Sequence, residues 1–300
     1  MTSAKAILLK TIPYILVKLA LGGISVAASV IILALWIGFG IETGGFVSVL
    51  LFVLWMLVTT AVTYLLMHNA GYQIKAGHIA VAAEAAGANR VPYSMVSWGN
   101  RHVKELYPNR DSYFTMKRRV SRSIREVQSC FGRSDIRTAS VTGTALTPLL
   151  TEPLLLRFMR YLDGCCIGWI FLRRKQNMYK SAADSVILYA KNRRVLLRNA
   201  IKVMLKSLIC AGAVLLVIFL PLGIIFKANG LHIMFALWIA VLCAWAVKYA
   251  VLDSYIMIRT MTNYMKSARN TTLSMDMAEE YCRMSETFKR MWKKAFPNAR

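Results

Sequence analysis

Apolar residues fall along this chain in four blocks that are too long for an ordinary soluble core. The blocks are Leu19 to Phe39, Phe46 to Met67, Leu208 to Phe226 and Ile233 to Leu252. The first two contain no charge, the third is interrupted only by Pro221, and the fourth carries a single charge, Lys248. A hydrocarbon core of about 30 Å takes roughly 20 helical residues to cross. Inside lipid, one segment satisfies its own backbone only as a helix. The blocks therefore predict four transmembrane helices, with spans at about 15–40, 46–68, 204–226 and 232–254.

The blocks come in pairs. Ile41 to Gly45 joins the first two and Lys227 to His232 joins the last two. Both joints are short and contain glycine, which predicts two antiparallel hairpins. The fold class is thus an all-α integral membrane protein of four transmembrane helices plus cytoplasmic amphipathic helices.

The two hairpins also superpose in sequence. At an offset near 188, Lys5 to Lys10 aligns with Arg193 to Arg198 and Lys18 with Lys206. At 189, Arg101 meets Arg290, Lys104 meets Lys293, and Tyr107-Pro108-Asn109 meets Phe296-Pro297-Asn298. Equal topology makes this a parallel tandem repeat, related by an axis along the membrane normal. The domains read as a first hairpin unit with its exit helix (1–109), a basic cytoplasmic or interfacial helical insert (110–190) and a second hairpin unit with its exit helix (191–300).

Charge fixes the expected sidedness. The chain of 300 residues carries 38 Lys and Arg against 14 Asp and Glu, a formal net charge of +24, while 57% of it is hydrophobic. The stretch 68–202 holds 23 Lys and Arg against 8 Asp and Glu, and the stretch 253–300 holds 9 against 5. Lys and Arg near membrane ends remain on the cytoplasmic side. Both termini and the central region are therefore expected in the cytoplasm. Lys18 and Lys206 lie near the cytoplasmic ends of their spans, where a long side chain snorkels to the surface. The first block is too long for a secretory signal and reads as a retained span.

Within the insert, Tyr113, Met116, Val120, Ile124, Val127 and Phe131 recur at helical spacing. The opposite face carries Lys117, Arg118, Arg119, Arg122 and Arg125. This is the pattern of a helix lying on an anionic leaflet, so anionic lipid is an expected partner alongside the bilayer itself. After a break at Gly132 to Gly143, Leu154 to Leu172 is apolar again but includes Arg157, Arg160 and Asp163. Three charges argue against a fifth span, and an interfacial or re-entrant helix is expected. The basic insert has the electrostatics for a nucleic acid but no fold motif for one, so that partner is not expected.

From Arg160 the chain resembles the C-terminal half of the choline-transporter-like family. The residues that carry the resemblance are Arg160-Tyr161-Leu162-Asp163, Asn177, Ser181-Ala182, Asp184, Leu188 and Lys191-Asn192, followed by the basic-apolar lead-in Arg193 to Lys202. The similarity covers about residues 155–265. The family has more spans and a large extracellular loop that this chain lacks. The resemblance implies transport of choline or a related amine. A quaternary ammonium takes no hydrogen bonds, so its site would be an aromatic cage. Trp55, Trp245 and Tyr249 lie deepest in the spans and are the cage candidates, with packing or lipid contact as the plainer reading.

Lys248 is the one charge well inside a span. It either lines a cavity or snorkels, and Asp253, five residues on, is poorly spaced to pair with it in an α-helix. Six cysteines with no Cys-x-x-Cys pair argue against disulfides and zinc. Cys165-Cys166 suits either palmitoylation or simple packing. His78 is expected on the polar side of a surface helix. No P-loop, dinucleotide fingerprint, His-Glu-x-x-His or Gly-x-Ser-x-Gly elbow is present. Neither catalytic residues, a metal nor a cofactor is expected, and the protein does not read as an enzyme. Two functions remain: an oligomeric transporter or channel-like conduit for a small solute, or a non-transporting scaffold or assembly subunit that docks a partner or anionic lipid through its basic loops. A homo-oligomer or a place in a larger membrane complex is expected for either.

Overall fold

The computed structural model describes residues 3–38, 45–130 and 161–297. Several sequence features fall outside these residues: most of the first joint, Phe131, the 132–143 break, Leu154 to Arg160, and Asn298. The described residues are helical, with no strand among them. In chain order the helices are α1 (Ala4–Lys10), α2 (Ile12–Gly38), α3 (Gly45–Asn69), α4 (Gly71–Gly87), α5 (Met95–Leu106), α6 (Arg110–Cys130), α7 (Tyr161–Leu172), α8 (Met178–Ala228), α9 (Ile233–Val247), a π-helical turn (Lys248–Leu252), α10 (Asp253–Arg269), α11 (Met275–Met284) and α12 (Glu286–Ala295). Four stretches are long and apolar enough to cross a membrane: Ile12–Trp36, Val49–Asn69, Leu205–Ala228 and Ile233–Arg269. The last is longer than expected from sequence, because its helix continues past the apolar block.

The chain forms two compact units. One comprises Ile12–Lys75 and Lys206–Ser254. The other comprises Met1–Thr11, Ala76–Leu205 and Tyr255–Arg300. This grouping follows apolar spans against amphipathic helices and cuts across the sequential division at 109 and 190.

In the span unit α2 packs against both α3 and α9. Leu33, Trp55, Phe235 and Ile239 form the buried core, with Leu222 and Phe226 of α8 packed on it. Two indoles tie the helices together. Trp55 Nε1 donates to the Ser29 carbonyl at 3.1 Å. Trp238 Nε1 donates to Thr59 Oγ1 at 3.2 Å. Such bonds recur in membranes because a polar group left bare in hydrocarbon is costly. Along α2 and α9 the contacts run in opposite order. Leu33 meets the Phe235–Ile239 turn, Gly22 meets Ala246, and Lys18 meets Ser254. At Gly22 the backbones approach so closely that an added Cβ would lie 2.6 Å from Ala246 Cβ, whereas one at Gly23 would meet nothing within 4 Å.

The joint after α8 is a Schellman stop. Gly230 adopts φ 70°, its N–H donates to the Lys227 carbonyl at 3.2 Å, and Leu231 N–H donates to the Phe226 carbonyl at 2.9 Å. His232 then caps α9, its Nδ1 accepting from Met234 N–H at 3.3 Å. Pro221 lies inside α8, which continues through it.

In the second unit the Ala-rich part of α4, helix α7, the first turns of α8 and most of α10 are buried. Gly168 of α7 allows its backbone to lie against Met261 and Ala83. Tyr264 Oη donates to the Ser185 carbonyl at 2.8 Å. Two sequence expectations are corrected here. Of the two placements expected for α7, the interfacial one does not hold, because its described residues lie in a protein core, with Leu162 and Ile170 fully buried and Asp163 only 4% exposed. His78 is fully buried rather than on a polar surface. Cys165 and Cys166 are fully buried too, and that burial pushes both thiols up, Cys166 to about 12, so they pack and present no reactive thiolate.

Helix α6 is amphipathic as its pattern predicts, but its apolar face is not turned to lipid. Tyr113, Met116, Val120, Ile124 and Val127 are buried, and α11 and α12 pack on α6. The stripe signals that something apolar covers the face, and here protein does so. A carboxylate latch fixes the contact. Glu126 accepts from Ser285 Oγ at 2.6 Å, from Thr287 Oγ1 at 2.7 Å and from Thr287 N–H at 3.1 Å, at the first turn of α12. Desolvation by itself would raise the Glu126 carboxyl, yet these hydrogen bonds, helped by Arg122, hold it below its ordinary value.

Two expectations follow. Gly22→Ala should destabilise the span unit by about 1–3 kcal/mol through overpacking, while Gly23→Ala should stay within about 1 kcal/mol; thermal unfolding in detergent reads both. The latch is the acid-sensitive one. A depressed folded-state pKa gives stability that is fully present above the unfolded value of about 4.3 and is lost as pH falls through the lower folded value. Hydrogen exchange at Phe288 and Met291 should therefore be faster in Glu126→Gln than in the parent at neutral pH, with the difference closing below about pH 4.

A candidate functional site at a π-helical turn

The candidate site is built where α9 gives way to a π-helical turn. In an α-helix, residues five apart do not share a face. In a π-turn the backbone bond runs from i+5 to i, and Asp253 N–H donates to the Lys248 carbonyl. The two side chains are thereby stacked, and Lys248 Nζ meets Asp253 Oδ1 at 2.5 Å. Both side chains are mostly shielded, at 19% and 28% exposure. The spacing that argued against this pair holds only for a regular α-helix.

Lys18 of α2 completes the cluster. Sequence placed it as a snorkelling residue, but it is only 3% exposed. Its Nζ donates to Ser254 Oγ at 2.9 Å and lies 5.7 Å from the centroid of the Tyr249 ring. Tyr249 in turn stacks on Trp245, with ring centroids 5.6 Å apart and planes 9° off parallel. Asp253 and Lys75 both lie within electrostatic range of Lys18. Lys18 and Lys248 thus lie on the same carboxylate, with Lys75 in range of Lys18.

This geometry separates the sequence candidates. Lys248, Trp245 and Tyr249 belong to one site. Trp55 does not. It is fully buried, its N–H is bonded to Ser29, and its ring lies 5.5 Å from that of Phe235. Ten residues of helix separate Phe235 from Trp245, a rise of about 15 Å. No single cage therefore joins Trp55 with Trp245 and Tyr249. Lys18 Nζ already lies over the Tyr249 ring, where a quaternary ammonium would sit. Sequence reasoning missed Lys18 and Ser254 as site residues. The only signal was a lysine six residues inside an apolar helix.

The second group of candidates lies on α6. Arg118, Arg122 and Arg125 are exposed, while Lys117 and Arg119 are half-buried. Arg119 donates to Tyr179 Oη at 3.1 Å. The Tyr179 ring lies 5.7 Å from the Arg119 guanidinium and 5.3 Å from Lys294 Nζ. The basic face is thus extended by α8 and α12. Among the described residues no group of His, Cys, Asp and Glu could hold a metal ion. Compared with family models, curated proteins and solved structures, the chain matches none.

The pair at the π-turn should behave as a coupled unit. Either single change breaks the short Lys248–Asp253 bond in a partly shielded site, so Lys248→Met and Asp253→Asn should each cost about 1–3 kcal/mol. The double variant should cost clearly less than the sum of the two. Denaturant unfolding of all four forms gives that coupling directly.

Proposed function

We propose that the protein is a polytopic membrane transporter or channel-like conduit for a small solute, with the Lys18–Lys248–Asp253 cluster as its working element. The observation that carries this reading is Lys18, a lysine buried to 3% exposure in a span and held by Ser254 and Tyr249. A charge in such a position is costly and marks solute pathways and ion relays. The π-turn beside it adds support, because such turns concentrate at functional sites.

In the proposed arrangement the spans form two antiparallel hairpins, with both termini and the basic segments in the cytoplasm. The Lys and Arg distribution supports this sidedness. The hairpins are read as a tandem repeat. In each, the second span is followed by amphipathic helices that end on an aromatic residue before proline. Tyr107 and Phe296 close α5 and α12 with nearly the same backbone shape, φ −130° and ψ 87° against φ −132° and ψ 73°, both outside the α region that a following proline disfavours. Four helices enclose little room, so a homo-oligomer would complete the path. The exposed faces of α3 (Leu50, Leu54, Leu57) and α8 (Ile209, Val217, Leu220) offer apolar surface for it.

The choline-transporter-like resemblance makes choline and related amines the first solutes to try. The lysine donors at the cluster make an anion, or the carboxylate of a zwitterion, the second class of solute to try. Uptake into proteoliposomes decides it. Flux of labelled choline, betaine or a small carboxylate above empty vesicles is expected, reduced about tenfold or more in Lys18→Met. Absence of flux for every solute would refute the reading.

One observation favours the second reading, a scaffold or assembly subunit. The exposed Arg118, Arg122 and Arg125 lie beside the Arg119–Tyr179–Lys294 stack as a ready docking face for an acidic partner or anionic lipid. Gentle solubilisation should then recover a partner that Arg118→Glu/Arg122→Glu loses.

A further inference from the structure

A cavity of about 400 Å³ opens at the ends of α4, α7 and α10, within the unit of amphipathic helices. It is lined by Trp169, Arg173, Arg269 and Thr271 and by an apolar wall that includes Leu188, Met265 and Leu273. Three helices finish here, and their terminal carbonyls would draw a cation. The protein supplies its own. Arg269 donates to the Gly87 carbonyl at the end of α4. The Arg173 guanidinium lies 5.1 Å from the centre of the Trp169 ring. The attraction for an outside cation is thereby already met.

What remains at the cavity is a set of donors. A guanidinium carries five N–H groups and accepts nothing. Trp169 is 8% exposed, and its Nε1 is buried with no hydrogen-bond partner among the described residues. An indole N–H in that state is a cost that a bound acceptor would relieve. The Thr271 hydroxyl is engaged on both sides, donating to the Ser267 carbonyl at 2.9 Å and accepting from Asn192 Nδ2 at 3.0 Å. Among the described residues lining the cavity there is no carboxylate. Donors on one side and an apolar wall on the other call for a molecule with an oxyanion at one end and hydrocarbon at the other.

We infer that this cavity is a binding site for a small amphiphilic oxyanion, a carboxylate or phosphate that carries a short apolar group. The oxyanion engages Arg173, Arg269 and the Trp169 N–H, and the hydrocarbon lies against Leu188, Met265 and Leu273. The inference stands apart from the cluster at the π-turn, because no residue is shared.

The test uses the full chain in phosphatidylcholine nanodiscs, with hexyl phosphate as the probe and hexyltrimethylammonium as the charge-reversed control. Calorimetry should show saturable binding of hexyl phosphate and none of the control. Arg173→Gln should weaken binding about tenfold or more, as expected for loss of a hydrogen bond to a charged group. Trp169→Phe keeps the ring and removes the N–H, and should weaken binding a few-fold. Lys175→Gln, outside the cavity, should leave it unchanged. Arg269 also caps α4, so Arg269→Gln is read only if its melting temperature matches the parent. A second arm replaces part of the phosphatidylcholine with phosphatidic acid. Thermal stabilisation that Arg173→Gln abolishes would support the same site with a lipid as the source. Equal binding of the cation, a Lys175→Gln effect as large as that of Arg173→Gln, or no response in either arm would overturn the inference.

Discussion

The close crossing of α2 and α9 at Gly22 and Ala246 governs what else the span unit can do. A Cβ at position 22 would fall 2.6 Å from that of Ala246, so the approach exists only because the residue is glycine. Hydrophobic attraction gives little drive between helices already in lipid, and packing this close is what holds them. Because the contacts run in opposite order along the two helices, tight packing at one level sets the neighbours above and below it. On one side lies the aromatic core around Trp55 and Phe235. On the other lie Lys18, Tyr249 and Ser254. The buried lysine is thus a consequence of the crossing, and its cost is offset by the hydroxyl and ring that the crossing delivers.

The π-turn acts in the same region by a different route. It introduces one extra residue without breaking the helix, so the backbone stays bonded in a setting that punishes bare N–H groups. The bonding pattern makes Asp253 the neighbour of Lys248. That pairing joins Lys18, Lys248, Asp253, Ser254 and the stacked Tyr249–Trp245 pair in one site.

Outside the spans, the same amphipathic logic is satisfied by protein. The apolar stripe of α6 is covered by α11 and α12, and Glu126 secures that contact through Ser285 and Thr287. Helix α7, with its two cysteines, is interior. Arg118, Arg122 and Arg125 are exposed on α6, while Arg269 donates to the end of α4 and Arg173 lies over Trp169. The basic residues thus include an exposed face, a helix cap and, at Lys248, an ion pair.

Sequence by itself determined the four spans, because about 30 Å of hydrocarbon demands a run of apolar residues that nothing else in the chain imitates. It also determined the amphipathic helix at 110–130 and the short glycine-containing joint from Lys227 to His232, since both depend on local pattern. It did not determine what covers an apolar face, so the pattern puts α6 on lipid and leaves α7 interfacial or re-entrant. Nor did it single out Lys18, whose surroundings come from residues more than two hundred positions away, or the Lys248–Asp253 pair, which appears only once the helix widens. Periodicity is a property of one segment, whereas burial, charge pairing and helix register are properties of two segments in contact. Only the tertiary structure decides those.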